Sequence, residues 1–111
     1  EDPQGTQVIM LSPEEVKQRM EAGTAYVVDV REPNEYSDAR LANTKLVPLS
    51  AFDPSEIDPP EEKDLILHCR SARRCGIAAE QLVAQGHTGT IYRMSGGILQ
   101  WIAEGLPVES G

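Results

Sequence analysis

The sequence predicts an α/β fold, a mainly parallel five-stranded sheet with helices on both faces. Three observations predict it. Short runs such as AYVVDV (25–30) and DLILHC (64–69) are rich in aliphatic residues and lack polar alternation, as strands buried on both faces do. Other stretches carry the start and stop chemistry of helices. The two kinds of segment alternate along the chain, which is the pattern of βα units. The 111 residues suit one domain spanning 1–111. A chain of this size buries roughly two-thirds of its unfolded surface, enough for a core without staples.

The elements follow in order. Residues 1–6 and 109–111 are polar or small and are expected to fray. QVIML (7–11) reads as a first strand. Ser12 is then an N-cap, Pro13 sits at the first helical position, and Glu15 closes a capping box. Leu11 and Val16 are placed as a hydrophobic staple, and Gly23 stops the helix near Ala22. AYVVDV is the second strand, and REPNEY turns into a short helix near 33–39. KLVPLS (45–50) reads as a third strand, followed by a Pro- and acid-rich loop over 51–63 with room for one helical turn. DLILHC is the fourth strand. The helix after it, CGIAAEQLVAQG, is expected to bury Ile77, Ala78, Leu82 and Val83 and to end at Gly86. GTIYRM (89–94) is the fifth strand, and a last helix runs from about Gly97 to Gly105, with Trp101 as its core anchor.

Charge narrows the partners. With 18 Asp and Glu against 10 Lys and Arg, the net charge is −8, which disfavours nucleic acid and direct binding to an anionic membrane. A bound anion therefore needs a local positive field. LILHCRSARRCG (65–76) is where the basic residues gather, with Arg70, Arg73 and Arg74 close behind Cys69. No apolar run approaches the ~18 residues of a membrane span, and no targeting segment is visible. The expected compartment is the cytoplasm. A periplasmic location, or a place within a larger protein, is the alternative suggested by a chain that starts at Glu1 rather than Met.

Cys69 falls between a strand and a helix, at the carboxyl end of the sheet where ligands of such folds bind. The unpaired N–H groups and positive dipole end of the next helix favour an anion there. With the arginines, they are expected to depress the Cys69 pKa. Composition leaves a second reading open, in which Cys69 is a small buried hydrophobe and the arginines form a solvated face. Cys75 is either a packed small residue or a resolving thiol. Asp29 and Arg31 are expected to be structural, bonding at the end of the sheet. His68 neighbours Cys69, but adjacent strand residues point to opposite faces, so it is not placed as a base. Gly96 and Gly97 are placed to let backbone pass close to the Cys69 loop.

HCRSARRC resembles the active-site loop of the rhodanese sulfurtransferase family, Cys-Arg-Ser-Gly-x-Arg, with Cys69, Arg70, Ser71 and Arg74 matching. VVDVREPNEY (27–36) resembles that family's Asp-x-Arg-x-x-x-Glu-(Tyr or Phe) block. LVPLS (46–50) resembles its Ile-Pro-Leu strand, and MSGGILQWIAEGLPV (94–108) its Gly-Gly-x-x-x-Trp helix. Ala72 stands where the loop has Gly, Cys75 where it has a small residue, and ARLANT (39–44) where the family has Gly-His-Ile-Pro-Gly-Ala. If the Ala72 position needs φ > 0, the strain there is ~1 kcal/mol.

The resemblance implies double displacement. Cys69 takes a sulfane sulfur from a small anionic donor such as thiosulfate, polysulfide or a persulfide, and a thiol or cyanide acceptor removes it. Arg70 and Arg73 would steer the donor, Arg74 would brace the loop, and Ser71 and Ala72 complete the cradle. A protein sulfur carrier could also serve, no metal or organic cofactor is needed, and a monomer suffices. Two other readings stay in view: a regulatory or docking module without catalysis, and a redox pair of Cys69 and Cys75. Cysteine phosphatases use a similar anion loop, but the four residues between Cys69 and Arg74 make this one a residue shorter.

Overall fold

The computed structural model describes residues 7–60, 62–71, 73–87 and 89–109. Along the chain lie β1 (Gln7–Leu11), α1 (Pro13–Glu21), β2 (Ala25–Asp29), α2 (Pro33–Asp38), β3 (Lys45–Leu46), β4 (Asp64–His68), α3 (Arg73–Ala84), β5 (Thr90–Met94) and α4 (Gly97–Ala103). The strands form one sheet in the order β1-β5-β4-β2-β3, and every pairing is parallel. β4 lies at the centre, which is why its Leu65, Ile66 and Leu67 are all buried.

Alternation along the strands divides the core in two. Val28, Leu65, Leu67 and Ile91 face α3, where Ala78, Ala79 and Leu82 meet them. Val27, Ile66 and Met94 face the other way, toward Val16 of α1 and Ile98 and Trp101 of α4. Helices therefore cover both faces, as the alternation of segments predicts. Trp101 is fully buried, and its indole N–H donates to the Pro107 carbonyl at 2.7 Å, so the large ring carries no unpaired donor into the core.

The first helix forms as its sequence dictates. The Glu15 N–H donates to Ser12 Oγ at 3.2 Å, and the Ser12 N–H donates to Glu15 Oε1 at 2.9 Å. Leu11 and Val16 share one buried cluster, and Gly23 takes φ +76° just past the helix end.

Three expectations are corrected. The third strand has two residues of ladder rather than six, because Pro48 has no N–H to donate and instead caps a 3-10 turn at Leu49–Ala51. Val47 and Leu49 still reach back to the carbonyls of Asp29 and Val30. The following loop holds the one helical turn expected of it, the 3-10 turn Pro54–Glu56, where Asp53 Oδ1 accepts from the Ser55 N–H at 3.1 Å. The buried stripe of α3 is Cys75, Ala78, Ala79 and Leu82, spaced i, i+3, i+4, i+7, whereas Ile77 and Val83 are 41% and 39% exposed. Small residues let α3 lie close to the sheet, and that close approach rotates the two larger side chains outward. Finally, Glu109 does not fray: it exchanges backbone hydrogen bonds with Arg40 at 2.8 and 2.7 Å. The other expected frayed residues, 1–6 and 110–111, lie outside the described residues.

Candidate active site

Cys69 follows β4 directly, at the carboxyl edge of the central strand. The chain turns there because α4 accepts it. The Ile98 N–H donates to the Cys69 carbonyl at 2.8 Å, and the Leu99 N–H donates to the Arg70 carbonyl at 3.2 Å. These are orphan donors of the first turn of α4, so each bond satisfies two groups at once. The contact leaves no space for a side chain. A Cβ on Gly97 would overlap the Arg70 carbonyl and sit 2.5 Å from the Cys69 oxygen, and Gly97 itself has φ +61°. From the first turn of α3, the Cys75 N–H donates to Cys69 Sγ at 3.4 Å.

The three arginines separate into two roles. Arg70, Ser71 and Arg73 are exposed at the rim of the loop. Arg74 is partly buried and forms a fork with Glu35 of α2, Nη1 to Oε1 at 2.7 Å and Nη2 to Oε2 at 2.9 Å. The Arg74 bonds hold the Glu35 carboxyl down at about 2. Glu35 in turn holds the Arg74 guanidinium above its ordinary value, with the Cys69 charge a smaller contributor. Arg74 thus ties the first turn of α3 to α2. Ala72 lies outside the described residues.

Behind the loop, Asp29 and Arg31 are both buried. Arg31 donates from Nε to Asp29 Oδ1 at 2.9 Å and from Nη2 to Asp29 Oδ2 at 2.6 Å. Its Nη2 also donates to the Ala39 carbonyl at 2.6 Å. That last bond anchors ARLANT, whose Leu41 is fully buried, although its residues depart from the family pattern. His68 sits on the same side of the sheet, its Nε2 3.7 Å from Asp29 Oδ2. Among the described residues neither of its ring nitrogens has a hydrogen-bond partner. Burial pushes the imidazole below its ordinary pKa, so it is held neutral.

Cys69 and Cys75 are both buried thiols, not a disulfide. The Cys75 pKa is raised first by its hydrogen bond to Cys69 and then by burial. A thiol held protonated is a poor attacking group. Two residues of the site escape a reading of the sequence. Glu35 could have been found, since it lies in the block that resembles the family. Arg93 could not: it arrives from β5, and its Nε donates to Cys75 Sγ at 3.5 Å.

Comparison with known proteins identifies the family. Residues 12–104 match the family described as the Rhodanese-like domain, and the chain belongs to that family. An uncharacterized protein of Synechocystis sp. is 34% identical over 99 residues, 89% of this chain and 55% of its own length. A sulfurtransferase of Allochromatium vinosum is 29% identical over 82 residues, 74% of this chain and 76% of its own. The crystal structure of a rhodanese-related protein from Thermoplasma volcanium superposes with a TM-score of 0.78 at 27% identity, covering 93% of this chain and 99% of that one. This chain thus spans about half the length of the Synechocystis relative.

Proposed function

We propose that this chain is a sulfurtransferase whose nucleophile is Cys69. The observation that carries the reading is the setting of its sulfur. It lies at the carboxyl end of the central strand, with an N–H of the following helix turned onto it and two exposed arginines beside it. The Cys69 thiolate attacks the outer sulfur of a small anionic donor such as thiosulfate. A Cys69–sulfur bond forms, the donor's S–S bond breaks, and sulfite leaves with the electron pair. An acceptor thiolate, or cyanide, then attacks the terminal sulfur of the persulfide, and the Cys69 thiolate is regenerated. Arg70 and Arg73 draw the donor in, while Arg74 is occupied in holding the loop to Glu35. The relatives named as sulfurtransferases support the chemistry, and a protein sulfur carrier fits the acceptor role as well as a small thiol.

One observation favours a second reading. The Cys69 side chain is fully buried, so a donor reaches it only if the loop opens, and a loop that stays closed suits a docking module. Intact mass after incubation with thiosulfate, and separately with polysulfide, decides between them. A gain of ~32 Da, removed by cyanide and abolished by Cys69→Ala, establishes the persulfide. No gain with either donor overturns the sulfurtransferase reading in favour of the docking module.

A further inference from the structure

Cys75 lies against Cys69 and is reached by a cation from a different strand. Its backbone N–H donates to Cys69 Sγ at 3.4 Å. Its own sulfur accepts from Arg93 Nε at 3.5 Å. Arg93 reaches it by lying across the first turn of α3. A Cβ on Gly76 would stand 2.7 Å from Arg93 Nη2 and 3.0 Å from Cζ, so Gly76 is what admits the guanidinium. The pair Cys75-Gly76 thus supplies an acceptor for Arg93 and the room to reach it. Arg93 and Gly76 together border a cavity of about 370 Å³, shared with Ala79 and Glu80.

We propose that Cys75 is a donor that holds and stabilises the Cys69 thiolate, and that Arg93 is the positioning residue that aims it. An Arg93 N–H on the Cys75 sulfur fixes the side-chain rotamer and withdraws electron density from the S–H. That leaves the S–H as a donor directed at Cys69, beside the N–H of the same residue. The hydrogen bond to Cys69, followed by burial, raises the Cys75 pKa by more than Arg93 lowers it, which agrees with a thiol that keeps its proton. This is the opposite of a resolving role, which needs Cys75 as a thiolate. Other charges around Cys69 include Arg74, which is paired with Glu35 and also attracted by Glu32, and the exposed Arg70 and Arg73. Asp29, Arg31 and His68 interact on the other side of the sheet.

The inference rests on the reading that Cys69 is the nucleophile, but its test does not use sulfur transfer. Ultraviolet thiolate absorbance is titrated against pH on the full chain, as the difference from a Cys69→Ser partner in each background. Circular dichroism confirms that each variant is folded. Losing one donor to a charged sulfur is expected to raise the Cys69 midpoint by about one pH unit in Cys75→Ala, roughly tenfold less thiolate near neutrality. Cys75→Ser keeps a donor and is expected to recover most of that shift. Arg93→Gln is expected to raise the midpoint in the native background and to add little once Cys75 is Ala, because Arg93 acts through Cys75. An unchanged midpoint in Cys75→Ala overturns the proposal. So does an Arg93→Gln shift of equal size with and without Cys75, which would mean plain long-range attraction. A shift as expected in a chain that never gains sulfur supports this inference and sinks only the sulfurtransferase reading.

Discussion

The Cys69 loop is held from two sides by opposite means. On the α4 side the contact is backbone to backbone: two N–H groups, two carbonyls, and a glycine with no space for a side chain. On the α3 side the helix begins within the loop, and side chains make the hold: Arg74 on Glu35, and Cys75 between Cys69 and Arg93. The difference teaches a division of labour. A backbone contact has one geometry and fixes the shape of the loop. Side-chain contacts carry charge and protons, so they set how negative the sulfur is allowed to become. On the α4 side Gly97 leaves no room for a side chain. On the α3 side a changed side chain would alter the chemistry instead.

The sharpest way to break this contrast is Gly97→Ala. The added Cβ meets backbone of Cys69 and Arg70, which cannot move without unmaking the turn, at a residue whose φ is +61°. The expected loss is about 3 kcal/mol or more, read from the shift of the urea unfolding midpoint. A loss below about 1 kcal/mol would mean the α4 side is as compliant as the α3 side.

Glu35→Gln tests the softer side. It leaves Arg74 half-buried without its counter-charge, at an expected ~1–2 kcal/mol after discounting for partial exposure. The pH dependence gives an independent check. The folded Glu35 carboxyl is held at about 2 against an ordinary 4.5. Its contribution is therefore complete above about pH 4.5 and is lost as pH falls through about 2. Urea melts across that window should show a slope in the native chain that flattens in Glu35→Gln.

The smallest effect is expected on the outer surface of α3. Val83 is 39% exposed, so Val83→Lys should change stability by no more than ~0.5 kcal/mol in the same melts. A loss near 2 kcal/mol would show that the outer face of α3 is packed, and that the helix is not held by its inner stripe alone.

Local signals in the sequence were enough for much of the fold. The box of Ser12 and Glu15, the buried run 65–68 and the stop at Gly86 act over a few residues, and each formed where its chemistry required. The reading failed where a longer-range condition intervened. Six residues of KLVPLS have strand composition, but Pro48 ends the ladder. Ile77 and Val83 are as apolar as any core residue, but α3 presents its small residues to the sheet because they allow the closest approach. At the site, Cys69 and its arginines were legible because strand, loop and helix follow one another directly.

By itself the sequence determined the order of strands and helices, the placing of Cys69 at the end of β4, and a glycine, Gly97, where backbone must approach; Gly96 faces the Gln100 side chain instead. All of these depend on neighbours along the chain or on the absence of a side chain. Tertiary structure alone decided what Arg74 pairs with, since Glu35 lies 39 residues away in the chain. It also decided that Arg93, 18 residues past Cys75, comes to rest on that sulfur. Charge and hydrogen bonding act through space at a few ångströms, and only parallel pairing of β4 with β5 and packing of α2 beside the loop bring those partners within reach.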